Sequence, residues 1–272
     1  MRARQIARTG AIAFRNMVMG GNLRLLTALH QPRRIAELAT QNLFLYDSAF
    51  GIGLKKKNVK DVLPHNCSSE VTFFLDSEEF WINEMPCSAA DIISLCLIAR
   101  LAQPKRIFEI GTFNGYTALH FAINAPAAEV YTLDLPRNSR VTLKTTVGDD
   151  EFVADTMKRA RLFEHRQEAA RIHPLYGDSA NFDFSPFRGK IDFFFIDGSH
   201  SYEYVRNDTL KALDCCHAGS VIAWHDYGRR GINGVSRWLH EFSRSHFPLY
   251  RIPNGSLAFG VVPAAFPKTP ID

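Results

Sequence analysis

The order of apolar and polar positions is clearest from Ser88 onward. Ser88, with Asp91 three residues later, makes a capping box ahead of an apolar stretch, and Ile92–Leu101 is expected to be helical. Ile107 to Ile110 is a short apolar run that ends in a glycine-bearing turn, and a helical pattern follows from Tyr116 to Ile123. Glu129–Leu133 reads as a second strand closed by Asp134. Pro136 to Asp150 is polar and reads as a mobile loop, and Glu151–Phe163 reads as a helix. Ile172–Tyr176 reads as a third strand, and Phe187–Lys190 leads into the run Ile191–Ile196. That run is nearly continuous in apolar residues, as a central parallel strand covered on both faces should be. Ser201–Cys215 is the returning helix, Gly219 marks a turn into a fifth strand at Ser220–Trp224, and Ile232–Phe242 is helical. Pro248–Ile252 and Ser256–Val262 are short strands joined by Pro253-Asn254-Gly255, a hairpin. Strands alternating with helices predict an α/β, doubly wound sheet, here closed by an antiparallel hairpin.

Upstream the pattern loosens, which divides the chain into a basic arm and cap over residues 1–87 and a ligand-binding domain over 88–272. Ile6 to Leu29 mixes arginines with apolar residues at roughly helical spacing, broken at Gly20-Gly21. A further helix is expected from Ile35, ending near Gly51 and Gly53 ahead of Lys55-Lys56-Lys57. Residues 64–87 contain Pro64, Pro86 and the aromatics Phe73, Phe74, Phe80 and Trp81, and read as an irregular cap packed on the domain.

Charge changes this picture at the N-terminus. The net charge is +4, yet residues 1–36 hold seven arginines and neither an acid nor a lysine, which leaves 25 basic against 28 acidic residues elsewhere. The arm reads first as a solvated helical extension. An amphipathic helix peripheral to an anionic membrane and an organellar targeting segment are the other readings. No recognition motif supports a nucleic-acid partner. No apolar run reaches the ~20 residues a membrane-spanning helix needs. Five cysteines form neither a disulfide framework nor a zinc-binding spacing, so a reducing, cytoplasmic setting is the expectation.

The chemistry gathers at predicted strand ends. Phe113 stands where a dinucleotide fingerprint needs its second glycine, and no lysine follows as in a phosphate-cradling loop. What remains is Glu109-x-Gly111-x-x-x-Gly115, a carboxylate and two glycines that suit a ligand with an ammonium or hydroxyls. Asp134 closes the second strand about 20 residues further on, where a ribose is held by its hydroxyls. Gly177-Asp178-Ser179 follows the third strand, Asp197-Gly-Ser-His200 the fourth, and His225-Asp226 the fifth.

This series, over residues 106–262, resembles the class I S-adenosylmethionine-dependent methyltransferases. Ile196-Asp-Gly-Ser-His-Ser-Tyr-Glu203 with Trp224-His-Asp-Tyr227 resembles the branch that includes sugar and macrolide O-methyltransferases. The resemblance implies a Rossmann-like seven-stranded sheet with a C-terminal antiparallel hairpin and an N-terminal helical extension. It implies that S-adenosylmethionine is bound by Glu109, Gly111, Thr112, Asn114, Gly115, Tyr116 and Thr117 on the first turn. Asp134, Asp178, Ser179 and Asp197 complete that set, with Asp178 at the adenine amino group. Methyl transfer is an in-line displacement, and an alcohol acceptor needs a base or a Lewis acid. His225, then His200, are the candidate bases, with Asp226 beside them. Asp197 and Asp226 would be the carboxylates for a divalent cation, Mg²⁺ by its preference for oxygen. His225-Asp226 departs from the Asp-Asn pair of the metal-dependent catechol-type relatives. Asn233 is a candidate for substrate contact. The Asn-Pro-Pro-Tyr motif of N-methylating enzymes is absent, which favours an oxygen acceptor on a small molecule, glycan or lipid. Two rivals stand: a methyltransferase-like domain that binds cofactor without turnover, and an NAD(P)-dependent oxidoreductase on the same sheet, against which Phe113 argues. An N-terminal helical segment of this kind often packs between subunits in the resembling enzymes, so the resemblance leaves monomer and homo-oligomer both open.

Overall fold

Eight strands form one sheet in the order β1-β7-β8-β6-β5-β2-β3-β4. They are β1 (Lys55–Lys56), β2 (Arg106–Ile110), β3 (Glu129–Asp134), β4 (Ile172–Tyr176), β5 (Ile191–Ile196), β6 (Cys216–Trp224), β7 (Tyr250–Arg251) and β8 (Ala258–Val261). The computed structural model describes residues 53–63, 70–74, 87–136, 139–146, 149, 162–229 and 233–265. The arginine-rich arm, the helix expected from Ile35, Phe80 and Trp81 of the cap, and residues 151–161 of the helix expected after the loop lie outside the described residues. Every neighbouring pair is parallel except those made by β8, which runs antiparallel between β6 and β7.

Strands β2–β8 are the seven expected, hairpin included. The eighth corrects that count: Lys55 and Lys56 pair with Tyr250 and Arg251 at the edge. Both lysines are exposed, so no apolar alternation announces the strand. A second correction concerns β6, which starts at Cys216 rather than Ser220. Gly219, at φ +86, sits inside the strand where its register with β5 shifts, and is not a turn ahead of it.

The period-two alternation of β5 divides the core. Phe193 and Phe195 pack with Ile92, Leu95, Leu119 and Phe121 on one face. Phe194 and Ile196 face the other side with Val205, Ala212, Trp238 and Phe242. Helices α1 (Ala89–Ala102) and α2 (Tyr116–Asn124) therefore cover the first face, and α3 (Tyr202–Cys215) and α4 (Asn233–Ser245) the second. On the second face Thr209 Oγ1 accepts the indole N–H of both Trp224 and Trp238, each at 2.9 Å, and donates to the Val205 carbonyl at 2.7 Å.

Cap and sheet share one core: Val59, Leu63 and Cys87 are buried with the first cluster, and Phe73 and Phe74 pack against it. Residues 70–74 are tied to α2 by hydrogen bonds from Thr72 N to Asn124 Oδ1 (2.8 Å) and from Phe74 N to His120 Nε2 (3.1 Å). No helix among the described residues is long and apolar enough to cross a membrane.

Candidate active site

The first turn is built by close backbone approach. Gly111 follows β2 at φ +101, and a Cβ there would lie 2.0 Å from the Asp197 carbonyl oxygen. Only glycine lets the turn after β2 touch the loop after β5. Gly115 caps α2 at φ 77, where a Cβ would meet the Phe163 ring at 2.5 Å. Asn114 Oδ1 accepts the Tyr116 N–H at 3.1 Å, and Asn114 Nδ2 is buried with no hydrogen-bond partner among the described residues. Glu109 is fully buried and accepts from Thr132 Oγ1 at 2.5 Å, while Thr132 is 2.7 Å from Thr112 Oγ1. Thr112 thus orients Glu109 through Thr132. Thr117 is buried in the first turn of α2. The Tyr116 hydroxyl donates to the Phe74 carbonyl, so this side chain is committed to the cap. Asp134 ends β3 half-buried, with Oδ1 accepting the Leu135 N–H.

An unspent donor at Asn114 and a half-exposed carboxylate at Asp134, placed at adjacent strand ends, fit a ligand with hydroxyls and a carboxylate. Asp178, the expected adenine contact, is busy locally. Its oxygens accept from Thr142 N (2.8 Å), Ala180 N (3.0 Å) and Tyr204 OH (2.9 Å), which holds its pKa below the usual carboxylate value against the effect of burial. It thereby anchors the loop expected to be mobile. Ser179 is buried beside it.

The later strand ends carry a dense polar cluster. His225 and Asp226 follow β6 and Asp197 follows β5, as expected. His225 Nδ1 lies 3.1 Å from Asp197 Oδ1 and 3.4 Å from Asp226 Oδ2, and its Nε2 lies 3.5 Å from Asp91 Oδ2. His200 is held between carboxylates: Nδ1 is 2.5 Å from Asp149 Oδ1 and Nε2 is 2.7 Å from Asp226 Oδ2. Burial works against a charge on either ring, but the flanking carboxylates win. They push His200 up to about 10 and His225 well above the ordinary imidazole value. Asp226 is correspondingly held well below the carboxylate range by the two histidines, although burial opposes this, and Arg229 Nη1 adds a contact at 2.8 Å. Exposure separates the two rings. The His225 side chain is 4% exposed and that of His200 is 23% exposed, so His200 is the ring an acceptor can reach. Asn233 opens α4.

Three members of this cluster escape sequence reasoning. Asp91 reads as part of a capping box, and Ser88 Oγ does accept the Asp91 N–H. Its carboxylate, however, is buried and accepts from Ser256 N (2.8 Å), Ser256 Oγ (3.0 Å) and Leu257 N (2.9 Å) of the turn before β8. Asp149 sits in a polar stretch with nothing to single it out, yet it also accepts from the Ser199 hydroxyl and the His200 N–H. Cys87 lies in the cap and meets His225. The Ser-x-x-Asp spacing is the one local signal among these, and it announces the helix cap that Ser88 does make but not the partners of the Asp91 carboxylate.

The expected pair Asp197 and Asp226 does converge, but not as an oxygen cage. Imidazole nitrogens lie between the carboxylates and Arg229 compensates one of them. Mg²⁺ takes near-octahedral oxygen and water ligands, so these donors do not fit it.

Residues 108–227 match the family model Methyltransf_24, described as a methyltransferase domain. Among solved structures, the O-methyltransferase TomG of Streptomyces achromogenes is 21% identical with a TM-score of 0.46, covering 68% of this chain and 85% of its own. The methyltransferase PaMTH1 of Podospora anserina is 17% identical at a TM-score of 0.45, covering 66% and 83%. A methyltransferase of Geobacter sulfurreducens is 17% identical at 0.45, covering 68% and 84%.

Proposed function

We propose, from the match of residues 108–227 to a methyltransferase-domain model, that the protein transfers a methyl group from S-adenosylmethionine to a hydroxyl oxygen. The observation that carries this reading is the contact of Gly111 with Asp197. The glycine turn expected to cradle the cofactor abuts the loop that bears Asp197 and His200. A methyl group bound at the turn is thereby presented to the polar cluster. Glu109 and Asp134 would take the ammonium and the ribose hydroxyls, and Asn114 Nδ2 the carboxylate.

In this reading His200 receives the acceptor's proton. Asp149 keeps the Nδ1–H; the Nε2 proton, which the two carboxylates hold up to a pKa of about 10, first leaves to solvent. An acceptor hydroxyl then takes the place of Asp226 at the bare nitrogen, so transfer should rise with pH. The oxygen attacks the methyl carbon in line with the departing sulfur, whose C–S bonding pair returns to sulfur. The products are the methyl ether, S-adenosylhomocysteine and protonated His200. His225 is enclosed, so it orients Asp197 and Asp226 rather than meeting substrate. The acceptor class is a small molecule, glycan or lipid bearing a free hydroxyl.

Isothermal titration of the full chain with S-adenosylmethionine and, in parallel, with NADH tests the cofactor. Transfer of labelled methyl to panels of phenols, sugars and lipid-linked sugars tests the chemistry. Binding of the sulfonium alone, with transfer lost roughly 100-fold in His200→Gln at unchanged cofactor affinity, is the expected result. Binding of NADH instead would overturn the reading. One observation favours a second reading: both imidazoles are tied up by carboxylates, which suits a domain that binds cofactor without turnover. Tight cofactor binding with no transfer to any hydroxyl would establish that alternative.

A further inference from the structure

Four cysteines are described and all are buried: Cys87, Cys96, Cys215 and Cys216. A buried cysteine ordinarily serves as a small hydrophobe. Cys87 departs from this. Its sulfur, an oxygen of Asp197 and a ring nitrogen of His225 all lie within 4.8 Å of one another, and none of the other three belongs to such a group among the described residues. The three residues come from separate parts of the fold: Cys87 precedes the cap of α1, Asp197 follows β5, and His225 follows β6.

We propose that Cys87, Asp197 and His225 form a binding site for a borderline divalent ion of the Zn²⁺ class, with the fourth position left to water. One thiolate, one imidazole and one carboxylate are the donor types such an ion selects, whereas Mg²⁺ and Ca²⁺ take oxygen alone. The surroundings of His225 supply independent support. With Nδ1 turned to Asp197, its Nε2 faces Asp91 Oδ2 at 3.5 Å and Ser256 Oγ at 3.4 Å. A metal-bound histidine characteristically gives its other ring N–H to a carboxylate, and that partner fixes the ring and its tautomer. Asp91 is itself fixed by four donors: Ser88 Oγ, Ser256 N, Ser256 Oγ and Leu257 N. The carboxylate is therefore rigid before any ion arrives.

On binding, the ion takes the lone pairs of the thiolate, the imidazole and the carboxylate. The thiol proton and the Nδ1 proton of the imidazolium leave to solvent, two protons for one divalent cation with no change of oxidation state. The ion also cross-links the start of α1 to the ends of β5 and β6. This site differs from the carboxylate pair expected for Mg²⁺, because Asp226 is not a ligand and Cys87 is. The inference does not depend on methyl transfer and is read without any activity assay.

The test uses the full chain after chelation and dialysis, titrated with Co²⁺ and then Zn²⁺. The expected result is a near-ultraviolet thiolate-to-cobalt charge-transfer band that saturates at one equivalent and is erased by Zn²⁺. Cys87→Ser should lack the band and bind Zn²⁺ roughly 100-fold more weakly, while Asp226→Asn keeps both. Asp197→Asn provides a second arm should the serine variant fail to fold, and it too should lose affinity. No band in the unsubstituted protein would overturn the site, as would wild-type affinity in folded Cys87→Ser or in Asp197→Asn. An ion lost from Asp226→Asn but retained in Cys87→Ser would place it on Asp197, His200 and Asp226 instead.

Discussion

Asp208 lies on α3 with no exposed surface, and its two oxygens are unequally served. Oδ1 accepts from Asn207 Nδ2 at 2.9 Å, while Oδ2 has no hydrogen-bond partner among the described residues. Oδ2 also approaches the loop after β5, where a Cβ on Gly198 would be 3.5 Å away. Burial, reinforced by the charge of Asp178, pushes its pKa up to about 7 against the hydrogen bonds from Ser179 and Asn207. In the unfolded chain the same carboxyl titrates near 3.8. The folded state therefore binds this proton more tightly, and stability falls as pH rises from about 4 to about 7. A tenfold difference in proton affinity between the two states is worth about 1.4 kcal/mol, so this carboxyl costs the fold about 4 kcal/mol at pH 8, and about 1.5 kcal/mol at pH 5, where it stays protonated in the fold while the unfolded chain ionises. Asp208→Asn keeps the shape and removes the titration. Its advantage over wild type should grow by about 2–3 kcal/mol between pH 5 and pH 8, which for a chain of this size is a relative rise in melting temperature of roughly 5–10 °C. Other titrating groups are common to both proteins and cancel in the difference. Thermal denaturation of the pair at both pH values provides the measurement. A variant no more stable than wild type at pH 8 would refute the argument, since the carboxylate would then be paired or hydrated in the fold.

Further predictions rest on other contacts. Gly111→Ala should cost about 3 kcal/mol or more, because its Cβ would overlap the Asp197 carbonyl and its φ is +101; denaturant unfolding and cofactor titration should both register the loss. Thr209→Val keeps the volume but strips both indole N–H groups of their acceptor, and should destabilise by about 2–4 kcal/mol in urea. Burial lowers the His120 pKa below its ordinary 6.5, and the neutral ring accepts the Phe74 N–H beside Tyr116 and Arg166. That contribution is complete above pH 6.5 and is lost as pH falls below it, so hydrogen-exchange protection at Phe74 should weaken between pH 7 and pH 5. Asp134→Ala should lower S-adenosylmethionine affinity at least tenfold by titration, whereas unchanged affinity would move the ribose elsewhere.

Much of the fold can be read along the chain because its signals are local. The run Ile191–Ile196 requires cover on both faces, and Phe193, Phe194 and Phe195 find it in two different clusters. The turn after Ile110 and the acids closing β3, β5 and β6 follow from strand length and glycine placement. Strand β1 escapes because two exposed lysines carry no pattern, and Cys216 escapes because Gly219 resembles a turn and serves as an irregularity inside β6.

The amino-acid order by itself therefore determined the α/β class, the hairpin closure and which strand ends are polar, since these depend on hydrophobic period and turn chemistry over a few residues. Only the tertiary structure decided what those polar ends do. Asp91 meets Ser256 from 165 positions away, and Asp149 meets His200 from 51. Such contacts arise when packed helices and strands bring distant residues together in a buried space, where each charge must find a partner. That requirement turned two expected bases into ion-paired rings, left His200 the more open, and drew Cys87 and Asp91 to His225.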